Sequence, residues 1–481
     1  MSASSTTSST GAPPAQAPPR YGHRPGVVLA LIVTCYMMII VDNNVMTIAL
    51  PKIQAGLHFT PTALSWVLSS YMLTFGGLLL LGGRAGDLFG RRRVFVAGVV
   101  LFTLSSLLGG MAVTSWQLLA ARAVQGVGAA LASPGAMSLL ITNFDEGAPR
   151  NRALAVYATA AGLGQTLGMI LGGVVTEWTS WRWVLFVNVP FGVAVAVLTP
   201  LFVTEPRRGA GRLDLAGALT GTAGMAALVY GFIRAAATGW EDAVTIGAFV
   251  LALVLLAVFL VTQVRVAHPT MPLRLFRDRN RATGYATVLL TMACLFSVLF
   301  FVSQFLQDVL GFSALATGLA FLPMSLGTFV TARFTPRLLP RTGAMPLIVA
   351  GLLLVVGAAF WLSRLDAGTP YTPHLLVPVL MFGVGIGAFL MPLNATILAG
   401  VGPADAGAAS GIMQTMQQIG GSLGLAVLVT VYGTSLRQAR TADHAQALAQ
   451  AMGTAFLFAT VFVAVALVLV AVLIRTPRRP G

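Results

Sequence analysis

The chain has 481 residues, 57% of them hydrophobic and only 9% charged, with a mean hydropathy of +0.85. A soluble globular domain has about a quarter of its residues charged, so this composition excludes one, and no segment could house a sizeable soluble catalytic domain. The net charge of +15 comes from arginines gathered in short stretches between apolar runs, which argues against a nucleic-acid partner and matches the charge bias of membrane loops.

Residues 1–25, rich in Ser, Thr, Ala and Pro, cannot bury enough apolar surface to fold and are expected to form a disordered cytoplasmic tail. Apolar windows then predict spans over 27–50, 62–82, 93–113, 116–140, 153–176 and 181–203, an N-terminal six-helix bundle occupying 26–205. Two further spans, 214–235 and 244–265, make an insertion with cytoplasmic linkers over 206–266. Six more, 283–307, 314–335, 344–364, 374–399, 406–432 and 452–475, build a C-terminal bundle over 267–476, and 477–481 form a second cytoplasmic tail. The expected fold class is an all-α polytopic membrane protein with fourteen transmembrane helices. Cys35 and Cys294 both lie inside apolar runs, which supports neither a disulfide framework nor a metal site.

With the first tail in the cytoplasm, Arg91 to Arg93, Arg150, Arg152, Arg207, Arg208, Arg212, the cluster Arg265 to Arg281, Arg333, Arg337, Arg341 and the cluster Arg475 to Arg479 all fall inside. The other side receives Lys52, Arg182, Arg234, Arg364, Arg437 and Arg440, mostly single charges, several next to acids such as Glu241, Asp242 and Asp366. Both termini are therefore expected in the cytoplasm of a multi-pass protein of the cell membrane. Two bundles joined by a cationic middle segment suggest halves that rock about a central site. The stretch Ala332 to Arg337, after the tenth span, is expected to be a second copy of the turn Gly83 to Arg93, without its Asp.

Four motifs carry a family resemblance. They are the turn Gly83-Arg84-Ala85-Gly86-Asp87-Leu88-Phe89-Gly90-Arg91-Arg92-Arg93; Arg122 to Ala129 in the fourth span; Gly164 to Gly173 in the fifth; and Val41 to Pro51 in the first. Together they resemble the major facilitator superfamily, within it the fourteen-span drug:proton antiporter branch, over about residues 27–475. Trp181 to Pro190 and Met271 to Phe276 look like the same branch, whereas Met169 stands where the family's fifth-helix motif usually has Pro. The resemblance implies antiport, and it implies a conformational latch at Gly83, Asp87, Gly90, Arg91 and Arg92 whose charge pairs exist only in the outward-facing state.

The residues themselves supply a site. Asp42 is the only acid placed well inside a span, where a charge costs about 2.5–3.5 kcal/mol and usually lines a cavity or relays protons. Counting 1.5 Å per residue puts Arg122 roughly one third into the membrane, near the depth of Asp42, so Asp42 and Arg122 are the proton-coupling candidates. The other reading of Asp42 is structural glue between helices. Asn43, Gln125, Gln165, Asn394, Gln414 and Gln418 offer neutral polar groups for a substrate cavity. Gly164, Gly168 and Gly172, with Gly173, form a small-residue stripe expected to press the fifth helix against a neighbour from the other half. Asp308 and Glu177, at outer helix ends, are read as solvated caps.

No GxxxxGK[ST] motif occurs and Lys52 is the only lysine, so neither an ATPase nor any cofactor or catalytic residue is expected, and energy must come from an ion gradient. An isolated embedded Asp suits H+, with Thr47 and Asn44 leaving Na+ open. The expected function is export of a small lipophilic or cationic drug or antibiotic in exchange for protons, by a monomer in the bilayer. The alternatives are a proton-coupled importer of a small solute on the same fold and a ligand sensor that transports nothing.

Overall fold

The computed structural model describes residues 24–205, 213–266, 269–439 and 443–474. Most of the expected first tail, Arg207, Arg208, Arg212, Arg440 and the cluster Arg475 to Arg479 with the second tail lie outside them. Among the described residues there is no strand, and fourteen helices are long and apolar enough to cross a membrane. They are α1 (Pro25–Leu57), α2 (Ala63–Phe89), α3 (Arg91–Gly110), α4 (Ser115–Asn143), α5 (Ala148–Trp178), α6 (Trp183–Phe202) and α7 (Leu215–Thr238). The rest are α8 (Ala243–Arg265), α9 (Arg279–Val309), α10 (Ala314–Thr342), α11 (Ala344–Leu362), α12 (Leu376–Leu398), α13 (Asp405–Gln438) and α14 (His444–Leu473). All fourteen expected spans are present. The face of the bundle holding Pro25 and Leu473 is called the near face below, and the one holding Leu57 the far face.

Several helices outrun their apolar windows, α1 to Leu57 and α10 to Thr342, because backbone hydrogen bonding propagates past the hydrocarbon until a residue interrupts it. One expectation fails for this reason. Ala332 to Arg337 is no turn but part of α10, Pro336 included, and the chain turns only at Gly343. The turn expected over Gly83 to Arg93 likewise narrows to Gly90, since Gly83 to Phe89 end α2 and Arg91 to Arg93 begin α3, and the repeat between the halves is carried by two glycines. Gly90 between α2 and α3 has φ +107° and Gly343 between α10 and α11 has φ +82°, a region open to glycine at little cost. Each donates its N–H four residues back, to Gly86 O at 3.1 Å and Leu339 O at 2.9 Å, and the next helix starts at once.

The insertion is not peripheral. Its helix α7 lies along both α2 and α13: Val229 and Ile233 pack with Leu73 and Ala426, and Thr430 Oγ1 donates to Phe232 O at 2.6 Å. Helix α8 packs on α7 and shows most of its remaining surface outward. Their far-face turn is closed by Arg234 and Asp242 at 2.7 Å, as the neighbouring charges suggest. Hydrogen bonds from Arg234 and then from Thr245 hold the Asp242 carboxyl at about 2.

The two six-helix halves meet in the far part of the bundle. Gly173 of α5 is packed on Leu315 of α10, Gly318 of α10 on the Met169 carbonyl, and Ser303 and Gln307 of α9 donate to Thr47 O and Ile48 O at 3.2 and 3.1 Å. Glu177 does more than cap its own helix end, because its carboxylate accepts the Ala314 N–H at 3.0 Å and ties α5 to the start of α10. Toward the near face α5 and α10 turn increasingly exposed surfaces outward over 151–159 and 332–341. The halves thus touch at the far face through α5, α9 and α10, and at mid-depth through α2 and α13, where Thr415 Oγ1 donates to Gly76 O at 3.1 Å.

Candidate functional site

Asp42 lies just past the midpoint of α1, and three donors from two other helices converge on its carboxylate. Arg122 Nη1 donates to Oδ2 at 2.6 Å, while Gln125 Nε2 and Asn188 Nδ2 each donate to Oδ1 at 2.8 Å. Arg122 Nη1 also reaches Gln125 Oε1 at 2.6 Å, Arg122 Nε donates to Val67 O at 3.1 Å, and the guanidinium lies 4.4 Å from the centroid of the Tyr71 ring. Gln125 is held in turn by Ser106 Oγ at 2.9 Å. Asp42, Arg122, Gln125 and Asn188 are all at most 2% exposed. A carboxylate taken out of solvent this fully is tolerable only because cation and amides meet it together.

Local sequence explains each position. Arg122 and Gln125 stand three residues apart on α4 and so share a face. Asn188 arrives through a break in α6: Pro190 has no N–H for the Phe186 carbonyl, so the helix is interrupted at Val187 and restarts at Asn188. Depth alone placed Asp42 and Arg122 near one another, and the structure puts them in direct contact. Asn188, Ser106 and Tyr71 were missed. An Asn two residues before a Pro in an otherwise apolar span was the available signal for Asn188.

The substrate-cavity candidates separate. Gln125 is fully engaged by Asp42, Arg122 and Ser106, so in this arrangement it belongs to the buried cluster rather than to an open surface. Asn43 donates weakly to Ile39 O at 3.4 Å and keeps a buried carbonyl oxygen without a partner, next to Asp42 in sequence. Gln418 lies against Gly76 of α2 at the seam of the halves, also with an unpartnered oxygen, and Gln414 is half-buried one turn away. Asn394 on α12 likewise has an unpartnered buried oxygen, and Gln165 on α5 is half-buried.

The glycine stripe needs correcting. Gly164, Gly168 and Gly172 face Ile40, Asn44 and Val45 of α1, a helix of the same half, and only Gly173 presses on the other half. Period four identifies a close-packing face without identifying its neighbour. The latch residues also stay within the first half. Asp87 accepts from Arg91 Nε and Nη2 at 3.1 and 3.0 Å, Gly83 lies against Pro134, and the backbone N–H of Arg92 donates to Glu205 Oε1 at 3.1 Å. Those pairs are formed while the far face is closed. They tie α2, α3 and the end of α6 together and do not bridge to α13, so in this state they are not a clasp between halves. Glu205, beside Gly90, was the unrecognised member.

Chemically, the Asp42 cluster couples charge to helix packing. Neutralising the carboxylate would weaken charge-assisted bonds to α4 and α6 at the same moment and leave Arg122 to find another partner. Two six-helix halves share a seam, and this centre lies inside the first of them. A family model described as Major Facilitator Superfamily matches residues 32–425. The chain belongs to the major facilitator superfamily. Among relatives of this superfamily member, the cephamycin export protein CmcT of Amycolatopsis lactamdurans is 41% identical over 460 residues, covering 94% of this chain and 92% of that protein. Puromycin resistance protein pur8 of Streptomyces alboniger is 41% identical over 420 residues, covering 86% and 83%. An auto-inhibited POT family peptide transporter superposes with a TM-score of 0.70, covering 95% of this chain and 99% of that one, and at 15% identity the likeness concerns the fold alone.

Proposed function

We propose that this superfamily member exports a lipophilic or cationic antibiotic or drug from the cytoplasm, confers resistance to it, and is driven by protons moving inward through Asp42. The observation that carries the coupling is the buried carboxylate joined by Arg122, Gln125 and Asn188. The names of the export and resistance relatives support the direction. With both termini in the cytoplasm, the near face is the inner one and the described arrangement is the loading state, closed to the outside at Gly173, Gly318 and Glu177. A substrate entering between the halves meets the polar groups of Asn43 and Gln418 along apolar walls. Protonation of Asp42 releases Arg122 and repacks α1 against α4, which shifts the equilibrium between the two states.

The test is movement of a lipophilic cationic dye in proteoliposomes under an imposed pH gradient, with a sodium gradient as control. Dye is expected to move opposite to the protons and to stop when an ionophore collapses the pH gradient. Movement in the same direction as protons would replace export by symport, dependence on sodium would replace the coupling ion, and no movement in protein that binds the dye would mean a sensor.

A further inference from the structure

At the near face α8 ends in Arg265, and the segment leading to α9 carries Arg274 and Arg277. Arg274 and Arg277 line a groove of about 270 Å³ with Gln263 and Val264, and a second depression beside it is formed by Leu260, Val261, Val264 and Arg265. The two share Val264, so an apolar strip runs directly into a cationic one. Leu260, Val261 and Val264 are 50%, 48% and 73% exposed, and the three arginines are exposed as well. Arg274 Nη2 reaches Asp405 at 2.6 Å, whereas among the described residues neither Arg265 nor Arg277 has an acidic partner. Asp278 is turned away into capping α9 through the Arg281 N–H at 2.8 Å.

The groove has a fixed wall. Asp214, before α7, accepts from Gln263 Nε2 at 2.7 Å and from the Thr270 N–H at 3.2 Å, and Gln263 Oε1 accepts the Met271 N–H at 2.8 Å. The end of α8 and the segment after it are thereby tied to one point, and none of these bonds uses Arg265, Arg274 or Arg277.

We propose that this groove is a binding site for an anionic phospholipid, its phosphate among Arg265, Arg274 and Arg277 and its acyl chain along Leu260, Val261 and Val264. Arginine suits a phosphate because its planar fork donates two parallel hydrogen bonds, and α8 presents its apolar side to the membrane next to that fork. Arg274 is shared with Asp405 in the first turn of α13, so a headgroup drawing on Arg274 reaches the start of a helix at the seam of the halves.

Retention of phosphatidylglycerol and of phosphatidylcholine by the full-length protein in detergent, read by native mass spectrometry, tests this. The comparison is between wild type, Arg265→Gln/Arg277→Gln, and a control, Arg337→Gln/Arg341→Gln, with equal charge loss elsewhere on the near face. Removing two arginines, at about 1 kcal/mol each near an anionic headgroup, is expected to weaken phosphatidylglycerol binding about 30-fold and leave phosphatidylcholine unchanged. The control is expected to bind like wild type. Undiminished phosphatidylglycerol binding by the first variant, or an equal loss in the control, would overturn the site. Displacement of the lipid by glycerol phosphate at equal concentration would overturn the lipid assignment in favour of a plain anion site.

Discussion

Arg122→Ala is expected to destabilise the protein by about 3–5 kcal/mol, the cost of leaving an ionised carboxylate buried without its cation. Arg122 binds Asp42, Gln125 and the Val67 carbonyl while stacking on Tyr71, so its loss exposes several groups at once. Arg122→Lys recovers little, since a point ammonium cannot span the carboxylate and Val67 O together or stack as a plane. Asp42→Asn/Arg122→Ala should cost less than the sum of the single changes, because removing both charges removes the unpaired one. Thermal unfolding in detergent across this double-mutant cycle reads the difference. Additive effects within about 0.5 kcal/mol would mean that the two residues do not act as a pair.

Gly173→Val is expected to shift the balance of states rather than to unfold the protein. A Cβ at Gly173 would stand 2.8 Å from Leu315 Cα and 2.9 Å from Ala314 O, backbone atoms of the other half across the closed far face. Overpacking of this kind costs about 1–3 kcal/mol, which moves a two-state equilibrium by about 5- to 150-fold toward the form open at the far face. Gly168→Val makes the informative comparison. Its Cβ would meet Asn44 Cβ at 2.8 Å, within one half, so it should lower stability in both states alike. A cysteine placed at Ser303, buried at the α1–α9 seam, reports the outcome through its labelling rate. Faster labelling is expected in Gly173→Val and not in Gly168→Val; equal rates would show that this crossing is not part of a far-face gate.

Legibility in the sequence followed the range of each signal. Apolar runs bounded by arginines are local, and they yielded the fourteen spans and the six, two, six grouping; the turn expected over Gly83 to Arg93 narrows to Gly90, because α2 runs on to Phe89 and α3 starts at Arg91. Helix depth is nearly local, and it is enough to bring Asp42 and Arg122 to one level of the membrane. The rest depended on which helix faces which. Gly164, Gly168 and Gly172 announced a close approach, but whether α1 or α10 fills it is decided by tertiary packing. Asn188 enters the site through a proline-induced break whose direction no periodicity encodes. Gln125 read as a free polar group because its position one turn from Arg122 says nothing of Ser106 across the helix pair. The stretch Ala332 to Arg337 looked like a turn since charge and proline usually mark one, yet α10 simply projects beyond the hydrocarbon there.

The central claim is that proton movement passes through Asp42, and the most direct measurement compares wild type with Asp42→Asn in proteoliposomes under two driving forces. One is a gradient of lipophilic cationic dye alone, the other an imposed pH gradient with equal dye on both sides. The account predicts that Asp42→Asn still equilibrates dye down its own gradient but no longer accumulates it in response to the pH gradient. Accumulation by Asp42→Asn equal to wild type would contradict it and leave Asp42 as a structural tie between α1, α4 and α6.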